Sequence, residues 1–262
     1  MTNRWPVTEA KSMPSVADAI VLCGGAGTRL RSVTGDAPKS LATIGNRPFL
    51  DILLNQLRRH RFEHVILAVG YQKDLIRSHF DNRAHDLSVE YSIESTPLGT
   101  GGALRNAVDF VKSEAVMIMN GDSYTDADLS GFVSNHRESR ADLTVLVVPT
   151  DGRVDCGLVS VDPNGRVLGF KEKQSATGMQ YVNAGIYMVA TKILYEMPLN
   201  QRVSLEEELF PRWLAEGKNI RAFRHSGRCI DIGTPERYLH AQEILANVEP
   251  DGILSAHRGP QG

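Results

Sequence analysis

Apolar residues along this chain alternate between short unbroken runs and longer stretches in which they recur at every third or fourth position. The runs at 19–23, 64–70, 89–93 and 115–120 predict buried strands, because a strand covered on both faces needs no polar alternation. Between them, 48–60, 73–80 and 102–112 carry helical spacing, the first with Pro48 well placed at its start. Strands that alternate with helices in this way predict βαβ units and a mostly parallel α/β sheet over residues 17–140.

The second half has a different texture. Strands are predicted at 142–149 and 181–189, and 158–161 with 166–170 flank the hairpin turn Asp162-Pro-Asn-Gly165. Ser204-Leu-Glu-Glu207 reads as a capping box opening a helix that runs to about Glu216 and stops at Gly217. Short strands at 220–224 and 229–232 and a helix at 235–247 follow. Residues 1–16 are polar, contain Pro6 and Pro14, and read as a flexible leader; 248–262 read as a flexible tail. One domain is expected over 17–247, with parts at about 17–140 and 141–247 and no internal repeat.

Composition narrows the function classes. With 262 residues, 42% hydrophobic and 23% charged, the chain is long enough to bury a full core. A net charge of −2 gives no electrostatic case for nucleic acid or an anionic membrane as partner. No apolar run has the length of a membrane span, and the N-terminus lacks a signal-peptide pattern. Cys23, Cys156 and Cys229 are scattered without metal-ligand spacing, as are the 8 histidines, so reduced thiols in a cytoplasmic protein are expected.

The candidate chemistry begins after the first strand. Gly24, Gly25 and Gly27 let the backbone turn sharply, and N–H groups presented by such a turn make a concavity for phosphate oxygens. Arg29 adds a fork of donors and Lys39 a compact positive charge. The spacing is neither that of a P-loop nor that of a dinucleotide fingerprint. The run Gly24-Gly-Ala-Gly-Thr-Arg-Leu30 followed by Pro38-Lys39 instead resembles the signature loop of the sugar-phosphate nucleotidylyltransferases, which condense a nucleoside triphosphate with a sugar 1-phosphate. The resemblance spans about residues 17–247. It implies a Rossmann-like, mostly parallel mixed sheet flanked by helices, the nucleotide-diphospho-sugar transferase fold, with a small β-rich sugar-binding part.

Asp122 follows a strand end, where it either caps a turn or faces the ligand crevice outside the sheet's carboxyl edge. Asp231, in Ile230-Asp-Ile-Gly-Thr-Pro235, follows another short strand, and two such carboxylates suit Mg²⁺. The resemblance implies that Asp122 and Asp231 hold that metal. It implies catalytic roles for these two with Arg29 and Lys39, and nucleotide contacts for Leu22, Gly24, Gly25, Gly27 and Thr28. It also places Glu94-Ser-Thr-Pro-Leu-Gly-Thr-Gly-Gly102 against base and ribose, with Gly99 and Thr100 touching the nucleoside. A carboxylate there accepts from both N1–H and N2–H₂ of guanine, so Glu94 tilts the base towards GTP over UTP or dTTP.

Phe170-Lys-Glu-Lys173 matches the family's sugar-phosphate motif, implying Lys173 on the phosphate and Glu172 on sugar hydroxyls, with Gly157 and Asn183 beside them. The chain departs from many relatives at Ser32-Val33 and at Ser40 after Lys39. Leu22-Cys-Gly-Gly25 and the Glu94 loop look most like the guanylyltransferases that act on D-glycero-α-D-manno-heptose 1-phosphate, which serve glycans of lipopolysaccharide, capsule or S-layer. Mannose-1-phosphate guanylyltransferases and UTP- or dTTP-dependent enzymes are the neighbouring alternatives. A regulatory subunit that binds nucleotide sugar without chemistry is the alternative of another class. No pattern fixes the oligomeric state, a homodimer included.

Overall fold

A computed structural model describes residues 17–25, 27–80, 86–150, 157–171 and 179–246. The chain opens with β1 (Asp18–Leu22), a short α1 (Arg31–Thr34), and the small hairpin β2 (Thr43–Ile44) and β3 (Arg47–Pro48). There follow α2 (Phe49–Arg59), β4 (His64–Val69), α3 (Lys73–Phe80), β5 (Ser88–Ile93), α4 (Gly99–Ala107) and β6 (Ala115–Asn120). Strands β1, β4, β5 and β6 pair in parallel in the order β5-β4-β1-β6, so the first half has the expected architecture.

Next come β7 (Ser123–Thr125), α5 (Leu129–Glu138), β8 (Leu143–Pro149), β9 (Leu158–Val161), β10 (Val167–Lys171) and β11 (Met179–Ala190). The chain closes with α6 (Thr191–Tyr195), α7 (Phe210–Ala215), β12 (Ile220–Arg224), β13 (Cys229–Asp231) and α8 (Pro235–Leu245). Strand β11 extends the same sheet by pairing antiparallel with β6, and β8 and β12 add beyond it. Its register against β8 shifts between Asn183 and Tyr187. Before that shift β11 pairs with β9, after it with β6. Gly185, at φ +74°, sits in the shift, a backbone region that side chains other than glycine rarely adopt.

Side chains of β1 alternate between two apolar layers, as period two requires. Ala19 and Val21 join the layer with α2, α3, α5 and α8. Ile20 joins the other, under α4, α6 and α7. Ile20 lies in register between Ile66 and Ile118, and Ile118 opposes Tyr187. Among the described residues no helix is long and apolar enough to cross a membrane.

Two local expectations are corrected, and one helix is added. The helix expected at 102–112 starts at Gly99, because Gly101 N and Gly102 N donate to Val203 O (2.9 and 3.4 Å) and bring the first turn under a distant segment. Helix α5 was not expected, although Leu129, Phe132, Val133 and His136 are its buried residues. The capping box at Ser204 closes through a different glutamate. Ser204 Oγ accepts from Glu207 N (3.1 Å), but Ser204 N donates to Glu208 Oε1 (2.8 Å), because Leu205–Leu209 is a wide π turn.

Candidate active site

The parallel strands β1, β4, β5 and β6 end on one edge, and the loops that leave them line a cavity of about 730 Å³. The expected nucleotide residues Leu22, Gly24, Gly25, Gly27, Thr28, Glu94, Gly99 and Thr100 all line it, as do Arg29, Lys39 and Asp122. Arg29 lies in the 3-10 turn Thr28–Leu30 and is exposed. Lys39 opens a second such turn, and its side chain is only 13% exposed.

Glu94 leaves the end of β5, where its N donates to Val69 O at 3.0 Å. Its carboxylate lies against two backbones that carry no side chain. A Cβ on Gly24 or on Gly70 would stand 2.6 Å from Glu94 Oε1, so both positions must be glycine for the carboxylate to lie here. Leu98 N donates to Oε2 at 3.2 Å. Burial raises the Glu94 carboxyl above its ordinary value, and the Leu98 bond opposes that shift.

A second cavity, of about 550 Å³, shares Arg29, Lys39, Asn120, Asp122 and Gly233 with the first. The two cavities therefore meet at the carboxyl end of β6. Lys39 Nζ donates to Asp122 Oδ2 at 2.5 Å, and Ser123 Oγ to Oδ1 at 3.1 Å. Asp231 lines the second cavity, and β13 pairs with β7, placing Asp231 opposite Ser123. Ile232 N donates to Asp122 O (3.0 Å), so the two aspartates come from adjoining backbones. Asp231 is gripped by Arg237 Nη1, 3.1 Å from each carboxylate oxygen, and by Gly233 N at 2.8 Å.

Helix α8, directly after Asp231, holds the hairpin that follows Lys39. Tyr238 OH donates to Thr43 O (2.6 Å), and Gly45 N donates to Gln242 Oε1 (2.9 Å). The segments bearing Lys39 and Asp231 are thus tied together away from the cavity.

Gly157 and Asn183 line the second cavity. Glu172 and Lys173 lie outside the described residues, as do the leader 1–16 and the tail 248–262. Sequence reasoning missed Glu206, Tyr187 and Arg237, which line the cavity. Cys23 also lines the first cavity, but burial pushes its thiol up to about 12, so it is no thiolate nucleophile near neutral pH.

The family described as Nucleotidyl transferase matches residues 18–248. The chain belongs to that family. This nucleotidyl transferase is 36% identical to a mannose-1-phosphate guanylyltransferase of Mycobacterium tuberculosis, over 93% of this chain and 69% of that one. It is 37% identical to a D-glycero-α-D-manno-heptose 1-phosphate guanylyltransferase of Aneurinibacillus thermoaerophilus, over 87% and 98% of the two chains. Its fold superposes with TM-score 0.76 and 31% identity on HddC from Yersinia pseudotuberculosis, a crystal structure complexed with GMP-PN, covering 87% of this chain and 99% of that one.

Proposed function

We propose that this nucleotidyl transferase condenses GTP with a sugar 1-phosphate, D-glycero-α-D-manno-heptose 1-phosphate first, releasing pyrophosphate and a GDP-sugar in the cytoplasm. The observation that carries the base is the Glu94 carboxylate, held between Gly24 and Gly70 in the cavity of the glycine loop. A carboxylate accepts the paired N–H donors of guanine and repels the carbonyls of uracil or thymine. Heptose 1-phosphate is favoured by the relative that this chain matches along nearly its whole length; the mannose enzyme matched is the nearest rival.

In this reading the sugar phosphate lies in the second cavity and its oxygen attacks the α-phosphorus in line where the cavities meet. Arg29 and Lys39 line both cavities, so both reach the negative charge that passes from the attacked phosphate to the departing pyrophosphate. Lys173 orients the attacking phosphate, with Glu172, Gly157 and Asn183 around the sugar. Positioning and charge stabilisation supply the catalysis, since a phosphate monoester needs little help from a base.

Asp122 and Asp231 are the groups to hold Mg²⁺. Two hard carboxylates on adjoining backbones, facing one cavity, fit an ion that completes its shell with phosphate oxygens and water. When bound, it neutralises phosphate charge and aligns donor and acceptor. Lys39 and Arg237 contact the same carboxylates.

Pyrophosphate release is measured with each common nucleoside triphosphate against heptose, mannose and glucose 1-phosphates, with Mg²⁺ and with chelator. Release confined to GTP, the heptose phosphate and Mg²⁺ is expected. Release with UTP or dTTP overturns the base assignment, and metal-independent release overturns the metal. No release with any pair, beside measurable GDP-sugar binding, points to a regulatory subunit.

A further inference from the structure

Glu206 lies on the π turn that follows the Ser204 cap, a one-turn irregularity of the kind often found at functional sites. It is half-buried and lines the second cavity. Two hydroxyls hold it. Thr100 Oγ1 donates to Oε2 at 2.8 Å, and Tyr187 OH donates to Oε1 at 3.2 Å. Both hydroxyls are themselves fixed: Leu205 N donates to Thr100 Oγ1 (2.8 Å), and Asn183 Nδ2 donates to Tyr187 OH (2.9 Å). Asn183 is fixed in turn by Gly185 N, which donates to its Oδ1 at 2.9 Å from within the register shift of β11. Each hydroxyl has one proton, and both protons go to Glu206. Each carboxylate oxygen thus receives one bond and keeps acceptor capacity for a ligand.

The surroundings define that ligand. Phe170, half-buried, lines the same cavity and packs on the buried Phe210 ring (centroids 4.9 Å apart), which in turn packs on the buried Tyr187 ring (5.0 Å). An aromatic ring beside a fixed carboxylate suits a molecule with C–H faces and several hydroxyl donors. An anionic group is repelled by the carboxylate and goes to Arg29, Lys39 and Arg237, which line the cavity too. We infer that Glu206 is a specificity-determining residue that accepts hydrogen bonds from hydroxyls of the acceptor sugar, with Tyr187 and Thr100 as its positioning residues. Thr100 also lines the nucleotide cavity, so one hydroxyl ties the loop expected at the nucleoside to the carboxylate that reads the sugar.

The inference rests on the second cavity being the sugar site, and the experiment separates the two. Wild type, Glu206→Gln and Tyr187→Phe are titrated with GDP and with GDP-mannose, and KM is measured for GTP and for D-glycero-α-D-manno-heptose 1-phosphate. In Glu206→Gln, GDP affinity and KM for GTP stay within about twofold, while GDP-mannose binding weakens about tenfold, the loss of one charge-assisted hydrogen bond. Tyr187→Phe, which keeps the ring packing, shifts GDP-mannose the same way by less. Equal weakening of GDP and GDP-mannose would make Glu206 a support of the nucleotide loop, and no weakening would remove it from the site. A wild type that binds GDP-mannose no better than GDP overturns the inference as well. A wild type that binds GDP-mannose through Glu206 but releases no pyrophosphate with any pair keeps the inference and rejects the guanylyltransferase reading.

Discussion

Lys39 Nζ meets Asp122 Oδ2 at 2.5 Å across 83 residues of sequence, at the point where the two cavities join. The pair is partly shielded, with side chains 13% and 36% exposed. Its ammonium is therefore positioned before any phosphate arrives, and no reorganisation is needed as charge develops.

Removing either member should stop chemistry and spare the fold. Lys39→Ala and Asp122→Asn are each expected to lower kcat by about a hundredfold or more. Far-UV circular dichroism and Tm should stay near wild type, since neither side chain contributes to the apolar layers. A folded variant with near-wild-type turnover removes that residue from the catalytic set.

Crowding Glu94 should loosen base choice. Gly70→Ala puts a Cβ 2.6 Å from Glu94 Oε1 and 2.8 Å from its Cγ, so the carboxylate must move. The ratio of kcat/KM for GTP over UTP is expected to fall about tenfold or more, as in Glu94→Gln, because a misplaced acceptor no longer discriminates. An unchanged ratio in both variants would show that base choice resides elsewhere.

Guanine reading should weaken in acid. Burial holds the Glu94 carboxyl above its usual range, and only the ionised form accepts from both guanine donors. KM for GTP is expected to fall as pH rises through that raised value, and Glu94→Gln should flatten the profile. The same shift has a stability sign. The folded chain binds this proton more tightly than the unfolded one, so the contribution of Glu94 declines as pH rises from the ordinary carboxylate value to the raised one.

His136 has the opposite linkage. Burial lowers its imidazole from 6.5 to about 4, Arg137 adds to the shift, and Asp142 opposes it. Nδ1 lies 2.8 Å from Thr144 Oγ1 between α5 and β8. Between those values the unfolded chain takes up a proton that the folded chain refuses. Stability should therefore fall as pH drops through this window, by at most about 1.4 kcal/mol per unit. Thermal melts across the window check this, and His136→Gln should reduce the slope.

Much of this arrangement was legible in the chain. Strand β6, helix α3 and strand β12 carry the expected bounds, because an unbroken apolar run or a clean helical period leaves few alternatives. The glycine loop and Asp122 stood out because each follows a strand end, whereas Glu94 stood out only through the resemblance of its loop to the family's nucleoside-binding segment. Glu206 did not, since it stands in the acidic triplet Glu206-Glu207-Glu208, where spacing does not say which carboxylate faces inward. The π turn decides it, and the energy of that turn lies in packing between distant segments. Helix α5 was missed despite apolar residues at 129, 132, 133 and 136, because Gly131 and polar neighbours dilute the period.

The register shift in β11 makes that strand two ladders on one backbone. Residues 179–182 answer only to β8 and β9, whereas 186–190 are locked to β6 and through it to the parallel half. Val182, at the end of the first segment, lines the second cavity, so a substitution there can reshape that cavity without straining the strands that carry the glycine loop and Glu94. A lineage could remodel the second cavity by editing that position, while the walls of the first cavity passed on unaltered.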